Sequence, residues 1–401
     1  MNRQLRSPLA RLILTLFGTL AVIGSLARAD PPRPCLELLP KRQTVLLVES
    51  SAVSSLTAAT ESRLLLIACD KSILIVKSTG DILDEMPMAR CVSAAMNTNG
   101  SLALLRFRSG KMVLWDREKD ATFGLPRPGG YGRGEFLRFE EIGGFFDSEQ
   151  SLCARVSSLA TGDALLVLSA VDRRVVRRLP LSGGDRTLVR VVSGKSAVVI
   201  ANRDADVDIW EAVERRPPRR LRRSLSTREC GDGVVAYSCD SLRDVAIDPE
   251  GDRITLVFVR STEQSSQVRV ESWCRGAATD TWMNAAQVEI DSDDCEVESP
   301  FFATCELSND GEWLAVCEHD GRTIDLFSTR SGKAVARCVV RRENCRETKD
   351  AWEHAHGIQF PRICFSALER SLFVASAGPL VVLSQFDLSV LAKRLEPAVA
   401  E

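Results

Sequence analysis

A tight turn followed by an alternating apolar strand recurs along the chain, and this repeat constrains the fold more than any other sequence feature. In the copy "SNDGEWLAVCEHDGRTIDLFSTRSGK" (residues 308–333), Leu314 and Val316 follow the turn residue Gly311 by three and five positions. Side chains two positions apart on a strand share a face, so both point to one side. We interpret this copy as three short strands separated by two tight turns.

Six further segments keep this spacing, and all of their inward positions are apolar. The turn residue and the two inward positions of each segment are Glu61, Leu64 and Leu66; Asn99, Leu102 and Leu104; Glu149, Leu152 and Ala154; Gly194, Ala197 and Val199; Gly251, Ile254 and Leu256; and Glu369, Leu372 and Val374. The copies follow one another at roughly 40–60 residues, which is the period of a propeller array.

Each copy continues with a polar turn, a second apolar alternation and another turn, and no long helical period follows residue 30. A single four-stranded sheet cannot bury both of its faces, whereas several sheets packed around an axis can. The sequence therefore predicts an all-β fold, a seven-bladed β-propeller of four-stranded antiparallel blades. A ring of six to eight blades from another family and a non-propeller β fold are the alternatives.

Two third-strand endings, "LWD" at 114–116 and "IWE" at 209–211, are similar to those of the WD40 family. The segments "DGEWLAV" and "STRSGK" also resemble its turn and closing segments, and the resemblance covers nearly all of residues 44–395. No Gly-His pair precedes the blades, and most blades lack Trp-Asp. The chain therefore resembles a degenerate WD40-like propeller, and the hydrogen-bonded tetrad of the family is not carried over to it.

The segment "QTVLLVES", residues 43–50, precedes the first full copy and is a good strand candidate. The resemblance implies that the last blade borrows a strand from the N-terminal part of the chain. We predict that this segment pairs beside the last blade and closes the ring. Closure would remove an exposed sheet edge that otherwise promotes aggregation.

The N-terminal residues have the three-part layout of a secretory signal peptide. Arg3, Arg6 and Arg11 precede an uncharged run over residues 12–27, and Ala27-Arg28-Ala29 matches an A-x-A cleavage pattern. We predict cleavage after Ala29 and a secreted or periplasmic protein, with an uncleaved membrane anchor as the alternative. The predicted segments are a signal peptide at 1–29, an N-terminal linker at 30–42, a single WD40-like propeller at 43–395 and a C-terminal tail at 396–401.

The overall charge is nearly balanced, with 52 Lys and Arg residues against 54 Asp and Glu residues. This composition gives no global field that would attract nucleic acid. We expect no nucleic-acid partner, no membrane span after signal cleavage and a monomeric chain.

The chain has 13 cysteines, and an exported protein permits disulfides. Three cysteines lie in segments with the sequence pattern of a strand and are predicted to be buried thiols. They are Cys69, Cys317 and Cys364. Three pairs that bracket loops are candidate disulfides: Cys230 with Cys239, Cys274 with Cys295, and Cys338 with Cys345. The sequence alone does not determine the connectivity.

Strand alternation assigns each loop to one face of the predicted ring. If the strands of a blade are called a to d, the b–c turns and the d–a connections share one face, here the top face. The a–b and c–d turns share the opposite, bottom face. The longest predicted top-face insertions are residues 119–145, 276–300 and 341–360, and long loops on a rigid scaffold commonly carry binding residues.

Aromatic and charged residues in these insertions are the candidate binding residues, because aromatic side chains are frequent anchors of binding interfaces. An equally open alternative is that the insertions only cover strand ends. The candidates are Tyr131, Arg133, Trp282, Asp291, Asp293, Asp294, Glu296, Trp352, Glu353, His354 and His356.

A basic patch is predicted near the c–d turns of the third and fourth blades, on the bottom face. Clustered guanidinium groups suit planar anions, which would favour an anionic polymer or an acidic protein partner. The alternative is a solvated outer edge whose charges and prolines prevent pairing with other strands. The patch residues are Arg173, Arg174, Arg177, Arg178, Arg215, Arg216, Arg219, Arg220, Arg222 and Arg223.

Motifs for catalysis or for metal binding are weak in this sequence. His354 and His356 alternate beside Glu353, a spacing that a zinc site can use, but no third ligand is located. "DADVD" at 204–208 is interpreted as a turn, and "DSDDCE" at 291–296 is a better calcium candidate. The sequence contains no P-loop, G-x-S-x-G or H-E-x-x-H motif, and we predict no catalytic residue, metal or cofactor.

These observations favour an exported, non-catalytic scaffold that binds a protein or a polymer through its top-face insertions. The alternative from another class is a propeller enzyme, similar to lactonases or other hydrolases, with a site at the central channel. Two or more carboxylates or histidines converging at the channel would favour the enzyme, and a mixed or apolar rim would favour the scaffold. A structural component of the cell envelope is a third interpretation.

Overall fold

The computed structural model describes most of the predicted propeller. The described residues are 36–48, 50, 52–88, 90–125, 137–146, 151–158, 162–181, 188–192, 197–201, 207–211, 219–221, 240–248, 252–261, 266–276, 282–291, 304–317, 323–340, 361–366, 368–377 and 380–391. The chain divides into two compact units, Met1–Leu36 and Glu37–Glu401. In the first unit only Leu36 is described.

The described secondary structure is almost entirely β. The strands are β1 (Leu36–Leu38), β2 (Arg42–Leu46), β3 (Val53–Ala58), β4 (Leu64–Cys69), β5 (Ile73–Lys77), β6 (Ile82–Met86), β7 (Cys91–Met96), β8 (Leu102–Phe107), β9 (Met112–Asp116), β10 (Ala121–Gly124), β11 (Leu137–Phe146), β12 (Ser151–Ser158), β13 (Ala164–Ser169), β14 (Val175–Pro180), β15 (Leu188–Val192), β16 (Ala197–Ala201), β17 (Val207–Glu211), β18 (Arg219–Leu221), β19 (Asp240–Ile247), β20 (Arg253–Ser261), β21 (Ser266–Arg275), β22 (Trp282–Asp291), β23 (Thr304–Leu307), β24 (Trp313–Cys317), β25 (Thr323–Ser328), β26 (Ala334–Val339), β27 (Arg362–Ser366), β28 (Ser371–Ser376) and β29 (Val381–Asp387). One helical turn follows at residues 389–391.

The strands form antiparallel sheets that are arranged as a β-propeller. Blades 1 to 5 are β3–β6, β7–β10, β11–β14, β15–β18 and β19–β22, and the closing blade combines β27, β28 and β29 with β2. The remaining sheet, here the five-stranded sheet, combines β23–β26 with β1. The innermost strands contact one another in the order β3, β7, β11, β15, β19, β23 and β27, and β27 contacts β3.

The prediction of an all-β propeller with four-stranded antiparallel blades is confirmed, but the number of such blades is corrected. Seven four-stranded blades were expected, and the described strands form six. The difference arises at the five-stranded sheet, where the short strand β1 pairs with β26 and adds a fifth strand to the outer edge.

Among its described residues, the copy at 308–333 contains two strands, β24 and β25, where three are predicted. Its first residues form a turn, because the Gly311 amide donates to the Ser308 carbonyl at 2.8 Å. Gly311 has φ +68, and a Cβ atom there would lie 2.7 Å from Thr255 Oγ1 of blade 5. Leu314 and Val316 are buried as predicted.

The predicted ring closure by the N-terminal segment is observed. β2 pairs antiparallel with β29, from Arg42 opposite Gln385 to Leu46 opposite Val381. The side chain of Leu46 is only 2% exposed and belongs to the core cluster that the closing blade shares with blade 1. β2 is therefore the fourth strand of the closing blade.

Core packing lies mainly between neighbouring sheets. Leu66 of blade 1 packs in one cluster with Leu105 and Trp115 of blade 2. Val257 of blade 5 packs with Leu314 of the five-stranded sheet. Burial of both faces explains why second strands such as β4 and β24 are apolar at every position.

Hydrogen bonds also join the innermost strands of neighbouring sheets. Asp244 Oδ2 accepts from the Leu307 amide at 2.8 Å. Glu141 Oε2 accepts from the Val189 amide at 3.2 Å. Each carboxylate follows a β-bulge in its own strand, and the bulge directs the side chain toward the next sheet. These contacts couple adjacent sheets through one buried carboxylate, Asp244, and one half-buried carboxylate, Glu141.

Several cysteines are buried in this core, as predicted for Cys69, Cys317 and Cys364. Cys274 carries a free thiol, so the predicted disulfide with Cys295 is not formed in this structure. Cys338 is buried. The other residues of the predicted pairs, Cys230, Cys239, Cys295 and Cys345, lie outside the described residues.

We expect the free energy of unfolding to decrease as the pH rises from 9 toward 11. Burial raises the pKa of the Cys69 and Cys91 thiols from 9.0 to about 11. Above pH 9 the unfolded chain releases protons that the folded chain retains, so rising pH favours unfolding. Urea titrations at several pH values measure this slope. Cys69→Ala should make the slope shallower, and an unchanged slope would contradict the assignment.

Candidate binding face

Trp282 and Asp291 are the only predicted top-face binding residues that the described part of the chain includes. Both lie on β22, the fourth strand of blade 5, which pairs with β21. The interval 276–300 is therefore not one insertion, and Trp282 lies at the c–d end of the strand, on the bottom face. The other candidates, Tyr131, Arg133, Asp293, Asp294, Glu296, Trp352, Glu353, His354 and His356, lie outside the described residues.

Of the other two predicted insertions, one is corrected in length and one keeps its predicted bounds. The interval 119–145 contains β10 and most of β11, which leaves residues 125–136 between these strands. The interval 341–360 lies between β26 and β27 and is a d–a connection. Binding through these segments stays a prediction.

The predicted basic patch spreads along the outer strands of two neighbouring blades. Arg173 and Arg174 lie in the turn before β14, and Arg177 and Arg178 are half-buried on β14. Arg219 and Arg220 lie on β18, the outer strand of blade 4. The remaining patch residues, Arg215, Arg216, Arg222 and Arg223, lie outside the described residues.

Two arginines of this patch have contacts within the chain. Arg173 has φ +56, and its guanidinium carbon lies 3.3 Å from the ring centroid of Phe123 on blade 2. This cation–π contact joins blade 3 to its neighbour. Arg174 Nε lies 3.5 Å from the Asp172 carboxylate. Anion binding by the patch stays a prediction, and Arg173 also has a role between the blades.

The "LWD" segment that resembles the WD40 family lies on β9. Trp115 is buried, and its indole Nε1 has no hydrogen-bond partner within the described part of the chain. Asp116 binds Lys119 instead, through the Lys119 side chain at 2.6 Å and the Lys119 amide at 3.2 Å. These Lys119 contacts lower the pKa of the Asp116 carboxyl. The tryptophan and the aspartate thus have separate local roles on this blade.

The central channel contains a cavity of about 170 Å³ near the ends of the innermost strands. Its described lining is mixed, with Thr57, Asn97 and Asn309 beside Phe145 and Phe365. Glu306 is the one acid among the described lining residues, and no histidine is among them. The described part of the rim is therefore mixed in character and holds one carboxylate.

A second pocket, of about 440 Å³, lies on the top face of blade 2 and is here called the blade-2 pocket. It is formed by the connection that leads into β7 and by the turn between β8 and β9. Its volume is in the range of ligand-binding pockets. The lining residues are Met88, Arg90, Phe107, Arg108, Ser109, Lys111 and Val113.

Backbone hydrogen bonds hold the two parts of this pocket together. The Arg108 amide donates to the Arg90 carbonyl at 3.0 Å, and the Arg90 amide donates to the Asp70 carbonyl at 3.1 Å. Arg90 has φ +69, an uncommon conformation for a residue other than glycine. In the adjacent turn, Gly110 has φ +76, and a Cβ atom there would lie 2.7 Å from Arg138 Cγ.

The blade-2 pocket combines an apolar floor with a cationic rim. Phe107 and Val113 are buried in the floor, and Met88 is half-buried. Arg90, Arg108 and Lys111 are exposed, and within the described residues none of their side chains forms an ion pair or a hydrogen bond. This pocket leaves no recognisable signal in the sequence, because its parts are separated along the chain and each resembles an ordinary polar turn.

Comparisons with protein families and with curated protein sequences find no match to this chain. Among the described residues, no helix has the length and apolar character needed to cross a membrane. The same part of the chain contains no group of three or more His, Cys, Asp or Glu side chains placed to hold a metal ion.

Proposed function

We propose that the chain is an exported, non-catalytic β-propeller that binds a protein or a polymer through its top face. The closed ring carries this proposal, because β2 pairs with β29 and the innermost strands contact one another around the axis. A closed, rigid scaffold presents its connecting loops at defined positions, and such loops commonly carry binding residues. The signal-like residues 1–29 support export to the periplasm or the cell exterior.

We further propose that the five-stranded sheet is the seventh blade of a degenerate WD40-like ring. Its innermost strand, β23, contacts β19 of blade 5 on one side and β27 of the closing blade on the other. Its strands β23 to β26 have the same antiparallel order as the strands of the four-stranded blades. The "LWD" and "IWE" strand endings support the family assignment.

A pull-down from an envelope fraction tests the binding role of the top face. The bait is the chain from residue 30 onward, compared with a variant in which Gly/Ser linkers of equal length replace residues 126–136 and 341–360. We expect this variant to lose the partner that the unchanged chain retains. Both segments join strand d of one sheet to strand a of the next, so their replacement leaves every described strand in place.

The matched control replaces residues 212–218, the c–d turn between β17 and β18 on the bottom face, by a linker of equal length. This variant should retain the partner. Loss of the partner from the control alone would assign binding to the bottom face. Identical partners for all three baits would contradict the proposed role of both replaced top-face segments.

A further inference from the structure

We propose that the blade-2 pocket binds an acidic peptide segment of a partner protein. One apolar side chain of the segment would occupy the floor formed by Met88, Phe107 and Val113. Carboxylates on both sides of this side chain would pair with Arg90, Arg108 and Lys111. This inference deepens the binding role proposed for the top face and rests on it.

The charge distribution of the pocket favours an anionic occupant. The backbone hydrogen bond between Arg108 and Arg90 holds two cationic residues side by side, and Lys111 is in the same turn as Arg108. Like charges held close together destabilise the fold unless an opposite charge offsets their repulsion. Within the described residues these three side chains have no acidic partner, so carboxylates of a ligand can supply the missing charge.

The shape of the pocket favours a peptide segment over an enclosed small molecule. Sites for small molecules bury most of the surface of their ligand. In the blade-2 pocket, Arg90, Arg108, Ser109 and Lys111 are exposed, so the rim is open to solvent. An open rim above a buried apolar floor suits one anchoring side chain of a passing chain, with polar contacts around it.

The pocket is also organised before any ligand binds. The β8–β9 turn is closed by the Gly110 amide, which donates to the Phe107 carbonyl at 2.8 Å. The Phe139 amide of β11 donates to the Gly110 carbonyl at 3.4 Å and connects the turn to blade 3. A site whose backbone is already fixed loses less conformational entropy on binding.

Fluorescence anisotropy with short labelled peptides tests this proposal on the chain from residue 30 onward. The probe EELEE carries an apolar residue between four carboxylates, and EESEE replaces the apolar residue by serine. We expect EELEE to bind more tightly than EESEE by about fivefold or more, because only the leucine can fill the floor. Added salt should weaken the binding of both peptides, since the rim contacts are exposed ion pairs.

The double variant Arg108→Ser and Lys111→Ser should bind EELEE about tenfold more weakly, which corresponds to roughly 1.4 kcal/mol. The matched control is Lys77→Ser, which removes an exposed cation at the end of β5 that leads into the c–d turn, on the opposite face of blade 1. The control should change the affinity by less than about twofold, because surface charges act weakly beyond a Debye length. Both sets of residues are exposed, so neither variant should affect folding.

Three results would overturn the peptide proposal: no binding of EELEE, equal affinity for EELEE and EESEE, or equal affinity of the double variant and the control. If dodecanoate displaces EELEE and binds the chain more tightly than EELEE does, the pocket would instead be assigned to small amphiphilic anions. If the double variant retains the partner in the pull-down and the linker variant loses it, the pocket inference fails and the proposed top-face function stands. If every bait retains the same partner, the proposed binding role of the replaced top-face segments is contradicted, whatever the peptide measurements show.

Discussion

Leu46→Asp is expected to lower the free energy of unfolding by roughly 4 kcal/mol or more, whereas Leu47→Asp should change it by less than about 0.5 kcal/mol. The two residues are adjacent in sequence, but Leu46 is 2% exposed and Leu47 is 85% exposed. Aspartate at position 46 would place a carboxylate in the apolar cluster that contains Val381, Leu383 and Phe373. Urea unfolding followed by tryptophan fluorescence measures both variants.

This pair of variants isolates ring closure, because both residues carry the same substitution and only one contributes to the core of the closing blade. Deletion of residues 40–50 should have a still larger effect, since it removes β2 and exposes the edge of β29. An exposed edge strand promotes pairing between molecules, so the deleted chain should also aggregate. Equal unfolding midpoints for Leu46→Asp and Leu47→Asp would contradict the role of β2 in the stability of the ring.

Ring closure could be predicted from the sequence because it depends on a simple pattern. The segment around β2 has a run of four apolar residues at 45–48 and precedes the first full copy of the repeat. The fifth strand of the five-stranded sheet could not be predicted in the same way. β1 has three residues, and its position depends on the open edge that β26 offers far along the chain. Such long-range edge pairing leaves no local pattern.

The register of the repeat is another feature that the sequence determined only in part. Asn99 was taken as the turn residue of blade 2, by analogy with Gly311. In the structure Gly100 has the positive φ that Gly311 also has, so the equivalent position is one residue later. The second strand is apolar at consecutive positions, as in Ala103, Leu104 and Leu105, because both of its faces are buried. A strand of this kind gives no alternation from which to determine the register.

The candidate site was less accessible to sequence analysis than the fold. Arg90 and Arg108 come together through one backbone hydrogen bond between separate segments, and nothing in the local sequence indicates this contact. β22 was assigned to a loop because its alternation includes polar residues on one side, which an outer strand tolerates. Arg173 was grouped with surface charges, but its positive φ allows the side chain to pack on Phe123.

Asp244→Ala is expected to lower the free energy of unfolding by about 2–4 kcal/mol, a large loss for one polar side chain. Asp244 is only 4% exposed. Its carboxylate oxygens accept hydrogen bonds from the amide of Leu307 at 2.8 Å and from the amide of Val245 at 2.8 Å. The substitution would remove the acceptor that Leu307, itself buried, uses across the boundary between blade 5 and the five-stranded sheet. Urea unfolding of the purified chain measures the loss.

Two further variants test whether the loss of stability comes from the hydrogen bond, from the negative charge or from the location of the carboxylate. Asp244→Asn keeps one side-chain oxygen, so it should retain part of the stability and give a loss of about 1–2 kcal/mol. Asp252→Ala removes an exposed carboxylate near the a–b turn of the same blade and should change stability by less than about 0.5 kcal/mol. If Asp244→Ala were as mild as Asp252→Ala, the carboxylate would not couple the two sheets. A large effect of Asp244→Ala with a small effect of Asp244→Asn would instead show that the amide acceptor, and not the charge, holds the boundary together.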